Sequence, residues 1–522
     1  MVRSSGSGTG MTAGVRSVLT VNTLVVATIA VSFVNSIVIA AFFGLTRRID
    51  AYYAALMLPN LFLVLGVDYL GKNFLPTLVR ARREGGEIAS ELTSTIVTIV
   101  ALLALAAALG LALGSKALFA LLLPGFGPEE LELVSRSFWI MAPALVFAAV
   151  TPFHEYVVQQ DDRYARIIMI RAALPLANLA AIVAVGPFVG EYALPIGYTV
   201  GQAITFALMA WQARYRYRPR FIVRREWERK IFTNSAIVMS SGLIMRTRIF
   251  VANYLASLLG DGAIAALNFT RRLTEPLERS TFTGVKMLMF NRAARLAARN
   301  DRAALGKLYG LGVTASFMML APLLWWLALE SAAIIGTLFE RGAFGPAMTA
   351  VVAATLVAFV PSVVFFGANA LLSNAFYALD RVTVPAITMP IGTGVYLAVA
   401  PFVYRPLGVP GLALAASAAA LVVFLLLVYC LSRQVEGFRA GAVLGKILWY
   451  GAAGGAALAA AKLALAGVES APLRAGAALV LGAPLYLGLL ALVRDRTLLE
   501  LWGRFRRNGA PAAVEAVTPP AR

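Results

Sequence analysis

Residues 96–113 read IVTIVALLALAAALGLAL, a run with no charged side chain and a single hydroxyl, that of Thr98. A helix on a soluble core needs only one apolar stripe, so a run apolar on every side belongs in lipid or deep inside protein. Crossing a hydrocarbon layer about 30 Å thick takes roughly 20 such residues. Comparable runs recur from residue 18 to residue 494 of a 522-residue chain that is 60% hydrophobic and only 14% charged. The chain therefore reads as an all-α integral membrane protein of about fourteen transmembrane helices. These are placed at about 18–45, 51–79, 91–122, 131–158, 165–189, 192–213, 232–259, 263–291, 308–337, 347–378, 382–404, 408–432, 443–467 and 473–493.

The formal charge of +20 would suggest nucleic acid in a soluble protein, but most Lys and Arg fall in short connections between apolar runs. Alternate connections are basic: Arg80, Arg82 and Arg83; Arg163 and Arg166; Arg214 through Lys230; Arg292 through Lys307; Arg433, Arg439 and Lys446; Arg494 through Arg507. The opposite set holds Arg47, Arg48, Arg341, Arg405 and Arg474. Because cytoplasmic loops retain Lys and Arg, the pattern places both termini in the cytoplasm and requires an even number of spans. The expected partner of these charges is the bilayer with its anionic lipid headgroups, not nucleic acid.

Met1 to Ser17 is polar, and the apolar run behind it is too long for a signal-peptide core, so a retained first helix is expected. Residues 508–522, with Pro511, Pro519 and Pro520, read as a disordered tail. Cys430 and His154 are the sole residues of their kinds, which excludes a disulfide framework, a Cys-based metal site and a His triad. No metal, cofactor or catalytic residue is expected. His154 falls near the cytoplasmic end of span 4, where an interfacial position is the default.

The chain also repeats itself. Phe126-Gly127-Pro128 returns as Phe344-Gly345-Pro346, Pro143 as Pro361, and Asp162-Arg163 as Asp380-Arg381, all 218 residues apart. Six spans separate the copies, and an even number preserves direction. Two parallel six-helix lobes, 18–213 and 232–432, follow, joined by a basic cytoplasmic linker at 214–231 and followed by a C-terminal helix pair at 443–493. Transporters built from such repeats bind substrate in a central cavity between the halves and rock one against the other.

Charge inside a span is costly, about 2.5–3.5 kcal/mol for a central Arg or Lys, and marks a cavity or a partner. In span 8, Asn268, Arg272, Glu275, Arg279 and Lys286 fall within about 60° of one another on a helix. This stripe reads either as an ion-pair lock between helices or as the cationic lining of a cavity suited to a pyrophosphate or carboxylate. Arg246 and Arg248 lie mid-way along span 7 and are two residues apart, so only one of them, Arg246 by preference, squarely faces a cavity. Asp68 and Lys72, four apart in span 2, read as a helical ion pair or as a cation site. Asn374 joins them as a candidate for coupling a monovalent cation. Asn35, Asn369 and Asn374 read as hydrogen-bonding residues between helices in preference to ligands. Asp50 reads as a cap on span 2 or as a polar contact to substrate. Gly451 to Gly455 reads as helix-packing sequence.

An ordered series of motifs then resembles the MurJ/MviN family of lipid II flippases, within the larger group of polysaccharide and multidrug exporters. It comprises Phe43-Gly44, Asp50-Ala51-Tyr52-Tyr53, Leu58-Pro59-Asn60, Phe74-Leu75-Pro76, Leu123-Pro124-Gly125-Phe126, Arg272-Leu273, Phe339 to Phe344 and Ala375 to Ala378. The resemblance implies a V-shaped bundle of two lobes around a cationic cavity, and a C-terminal pair forming a lipid-tail groove. It also implies alternating access without ATP hydrolysis, with Arg272 and Glu275 at the family's charged positions. Family members carry arginines where this chain has Ile29, Asn35, Leu63 and Val64.

The function expected is a flippase for lipid II or another polyprenyl-pyrophosphate-linked oligosaccharide, moving it to the outer leaflet for cell-wall or surface-polysaccharide synthesis. A multidrug exporter of the same fold would favour acidic cavity residues. A membrane-embedded glycosyltransferase or polymerase would need a sizeable outward loop or clustered carboxylates.

Overall fold

The computed structural model describes residues 7–64, 70–161, 163–219, 246–299, 301–495 and 497–500, together with 231 and 243. Among these the regular structure is helical, with no strand, as a bilayer demands of a chain that must satisfy its backbone internally. The first repeat runs through α1 (Ser7–Phe43), α2 (Arg47–Ala55), α3 (Met57–Val64), α4 (Gly71–Glu84), α5 (Gly86–Leu113), α6 (Ser115–Leu122), α7 (Pro128–Gln159), α8 (Tyr164–Arg171), α9 (Ala173–Ala184), α10 (Gly186–Val189) and α11 (Ala193–Ala213). The second comprises α12 (246–257), α13 (Ala263–Ala298), α14 (Arg302–Leu329), α15 (Ser331–Phe339), α16 (Pro346–Ala378), α17 (Thr383–Leu407) and α18 (Val409–Gln434). Two further helices follow, α19 (Ala440–Ala464) and α20 (Ala471–Leu492).

Eleven helices among the described residues are long and apolar enough to cross a membrane, against the fourteen spans read from sequence. Span 2 is divided among α2, α3 and α4. Asp68 and residues 232–242, 244 and 245 of span 7 lie outside the described residues. The repeat survives in the helices themselves. A long helix, a short one and a proline-containing long one follow in order as α5, α6, α7 and again as α14, α15, α16, with Pro143 and Pro361 inside the third member of each set.

Contacts resolve two compact units. One holds Met1–Pro276, Leu338–Thr355 and Met389–Ala419; the other holds Leu277–Thr337, Leu356–Thr388 and Ala420–Arg522. In the first unit, α7 packs on α5 and α11 around Phe74, Ile96, Val100, Val150 and Phe153. His154 is buried there. Its Nδ1 lies 3.1 Å from the Val150 carbonyl, which can only accept, so that nitrogen carries the proton. Nε2 then accepts from the Tyr215 hydroxyl at 3.1 Å, and burial pushes that hydroxyl's pKa up and keeps it a donor. Residues 214–217 therefore start the linker against the first repeat.

In the second unit, α19 and α20 are fastened to α14. The Trp325 and Trp326 indoles donate to the carbonyls of Gly451 and Ala475, each at 2.7 Å, and Tyr486 donates to that of Met318 at 3.0 Å. Gly454 and Gly455 leave room for Trp325, which agrees with reading Gly451 to Gly455 as packing sequence.

Candidate functional site

The site is built where the turn between α1 and α2 meets the start of α13, all within the first compact unit. Thr46 caps α2, its hydroxyl accepting from the Ile49 N–H. That frees Asp50, in the first turn of the same helix, to reach elsewhere. Its carboxylate accepts from the backbone N–H of Gly262 at 2.8 Å and of Ala265 at 2.7 Å. Asp50 thus neutralises the N-terminus of a helix in the other repeat, where orphan donors and the helix dipole favour an anion. It is completely buried.

Arg47 works on the segment just before. Its guanidinium donates to the carbonyls of Ser257 (3.1 Å), Gly260 (3.4 Å) and Gly125 (3.1 Å), pairs with Asp261 at 3.0 Å and lies 5.0 Å from the Phe126 ring centre. A second contact joins Ala343 N–H to the Ala41 carbonyl at 2.8 Å. Here Gly44 and Gly342, both at positive φ, allow the two turns to interlock backbone on backbone. These are the turns that the Lys/Arg pattern assigns to the outer side, and they form one clasp.

One or two helical turns further into the spans the chemistry changes. Arg272 on α13 is half-buried, donates to the Ser36 hydroxyl at 3.0 Å and stands 5.8 Å from the Tyr53 ring centre. No carboxylate among the described residues pairs with it. The hydroxyl of Tyr53 and Oδ1 of Asn35, the residue before Ser36, are buried and have no hydrogen-bond partner among the described residues.

The other expected site residues distribute as follows. Asn268, Arg272, Glu275, Arg279 and Lys286 do share the single helix α13. Asn268 gives its amide to the Ile264 carbonyl, and Glu275 is exposed. The side chains of Arg279, Lys286 and Lys72 lie outside the described residues. Arg246 and Arg248 are half-buried on α12, and Arg248 and Arg271 lie near enough to buried Tyr396 to act on it electrostatically. Asn374 is buried in the second unit, its amide nitrogen without a partner among the described residues. Asn369 donates to the Ala420 carbonyl at 3.0 Å, a bond between helices. Among the described residues no three His, Cys, Asp or Glu side chains gather as metal ligands would.

Sequence reasoning missed Arg47, Ser36, Tyr53 and Arg271. The first lay among charges assigned to topology. The last stands about 100° from the stripe it adjoins.

The family model described as lipid II flippase MurJ matches residues 39–472, a span that includes the clasp and Arg272. This chain belongs to the MurJ family. It is 24% identical to the lipid II flippase MurJ of Burkholderia cenocepacia over 427 residues, covering 79% of this chain and 82% of the relative. It is 26% identical to the probable lipid II flippase MurJ of Bdellovibrio bacteriovorus over 429 residues, covering 78% and 80%. Among solved structures, it is similar to a lipid II flippase MurJ in an inward closed conformation, with TM-score 0.78, 16% identity and coverage of 91% of this chain and 99% of that one. A multidrug-resistance MATE family transporter of the MOP superfamily, inward-facing, matches with TM-score 0.66, 14% identity and coverage of 78% and 94%. At those identities the two structures speak for the fold. Membership in the MurJ family makes the chain a multi-pass membrane transporter of the flippase class and not an enzyme.

Proposed function

We propose that this chain carries a lipid-linked glycan with a pyrophosphate headgroup, lipid II or a close chemical relative, from the cytoplasmic to the outer leaflet of the bacterial inner membrane by alternating access. Both termini are then cytoplasmic. The observation that carries the reading is Arg272, a half-buried guanidinium held, among the described residues, by a neutral hydroxyl and an aromatic face. An anion that displaces Ser36 gains a charge-assisted partner whose planar fork can hold it through two bonds. The clasp of Arg47 and Asp50 keeps the outer side closed while the headgroup loads from within. Direction comes from the membrane potential or from a monovalent cation gradient, with Asp68, Lys72 and Asn374 as its candidate groups. A cationic drug would be repelled by Arg272, so an exporter of such drugs is the weaker reading.

Losing one charge-assisted contact of about 1.5–3 kcal/mol lowers affinity roughly ten- to a hundredfold. Arg272→Ala is expected to reach the membrane at normal level yet lose transport of a pyrophosphate-linked glycan in proteoliposomes. Wild-type transport by that variant would overturn the site. Lipid II accumulating on the cytoplasmic face on depletion names lipid II as cargo, and a different intermediate names another carrier-linked sugar.

A further inference from the structure

Helix α14 contains Pro322 in its interior. A proline has no N–H to give to the carbonyl four residues back, and its ring crowds that carbonyl, so the Met318 oxygen loses its partner within the helix. In a membrane-spanning helix such a group is costly until a neighbouring element supplies a donor. Here the donor is the hydroxyl of Tyr486, fully buried on α20 and 3.0 Å from the Met318 oxygen.

The corresponding helix of the first repeat shows the same stretch without this arrangement. Helices α5 and α14 are each 28 residues long and lie 216 residues apart at both ends, Gly86 against Arg302 and Leu113 against Leu329. Pro322 thus matches Ala106, and Met318 matches Leu102, which is 47% exposed where Met318 is 5% exposed. The proline belongs to the copy that α19 and α20 cover.

The pair also grips α14 on both sides of the proline. Toward its N-terminus, Gly306 lies against the backbone of Glu436, Gly437 and Phe438 in the turn before α19, and Gly437, at φ +81°, lies against Ala303. Toward its C-terminus, the Trp325 and Trp326 indoles hold the carbonyls of Gly451 and Ala475. Lys462 on α19 donates to the Leu329 carbonyl and pairs with buried Glu330 at 3.3 Å. A bend at Pro322 must therefore part α14 from α19 and α20 on one side or the other.

Prolines are where helices bend, and the rung missing here is replaced by a group that can leave. A backbone N–H cannot leave its own helix, whereas a phenol on a neighbouring helix can. We propose that Pro322 is a hinge of the transport cycle and that Tyr486 is its catch. With the hydroxyl on Met318, α14 keeps the form described here; with the hydroxyl withdrawn, it bends. The C-terminal pair is then the element that sets the shape of α14, and its movement is tied to that of the second repeat.

The test measures the distance between spin labels at Lys307→Cys and Ala332→Cys, exposed positions on either side of Pro322, in the full chain carrying Cys430→Ala and held in nanodiscs. Losing one hydrogen bond shifts a two-state balance about two- to tenfold, so Tyr486→Phe should enlarge a shorter, bent population by that factor. Pro322→Ala restores the N–H that Met318 lacks, so Tyr486→Phe made on Pro322→Ala should leave the distances as they are in Pro322→Ala alone. That comparison separates a catch from a ring that only fills space. Pro322→Ala should also move lipid II in proteoliposomes severalfold more slowly than wild type, although its thermal unfolding midpoint is at least as high. The proposal is overturned if Tyr486→Phe leaves the distances unchanged, if its effect persists in the presence of Pro322→Ala, or if Pro322→Ala transports like wild type. If wild type itself moves no lipid II, the cargo reading fails alone, and the distances still decide the hinge.

Discussion

Arg47 and Arg272 sit in the same compact unit, and the protein treats them in opposite ways. Arg47 is wrapped by three backbone carbonyls, a carboxylate and an aromatic ring. Among the described residues Arg272 has one hydroxyl and one ring face, and the hydroxyl on that ring has no partner. A charge whose partners are all supplied by the chain holds structure together. A charge left short of partners keeps its binding capacity for something that arrives. Substitutions in the clasp should therefore lower stability, whereas substitutions around Arg272 should cost binding and leave stability nearly unchanged.

The hardest blow to that contrast would fall on Gly342. It has φ +57° and its missing Cβ would meet the Ala41 carbonyl oxygen across the seam. Gly342→Ala combines left-handed strain of about 1–2 kcal/mol with a backbone clash of about 1–3 kcal/mol. It should lower the unfolding midpoint more than any substitution at Arg47, Asp50 or Asp261. It should also expose a cysteine placed at Leu45 to a water-soluble thiol reagent, and an unchanged midpoint would mean that the turns are not interlocked. Next comes Asp50→Ala, which leaves two helix N–H groups without their charged acceptor and should cost about 2–3 kcal/mol. Asp50→Asn keeps one accepting oxygen and should fall between that variant and wild type. If Asp50→Ala kept full stability and lost only transport, Asp50 would belong with Arg272.

The contrast was only half legible in the sequence. Helices and their duplication could be read because apolar runs and repeated motifs are local signals, and Phe126-Gly127-Pro128 and its copy do precede or begin matching helices α7 and α16. Span 3, read as 91–122, is broken at Gly114 into α5 and α6, and span 9, read as 308–337, at Glu330 into α14 and α15. Hydropathy cannot see such breaks, since a bent apolar run averages the same as a straight one. Asp50 looked like a cap for its own span because capping is judged from neighbours, yet Thr46 does that work. The helix end that Asp50 serves begins at Gly262. Arg47 looked like a topology charge for the same reason: its partners come from Gly125 and Ser257, and no local pattern announces them. The orphaned oxygen of Tyr53 is defined by what fails to surround it, which only coordinates reveal.

The smallest effect separates the partners of Arg47 from one another. Its ion pair with Asp261 is short at 3.0 Å, but the Asp261 side chain is 72% exposed. Pairs of that kind contribute about 0–1 kcal/mol, because water and salt already solvate the carboxylate. The carbonyls of Gly125 and Ser257 belong to turns held fast against the Arg47 fork, and a planar guanidinium satisfies them together where an ammonium could not. Asp261→Asn should therefore shift the unfolding free energy by less than about 0.5 kcal/mol, and any shift should vanish in high salt. Arg47→Ala should cost about 2 kcal/mol and keep most of that cost at high salt, with Arg47→Lys between them. Equal losses from Asp261→Asn and Arg47→Ala would mean that the clasp is an ion pair after all. Its closure would then be set by ionic strength rather than by backbone geometry.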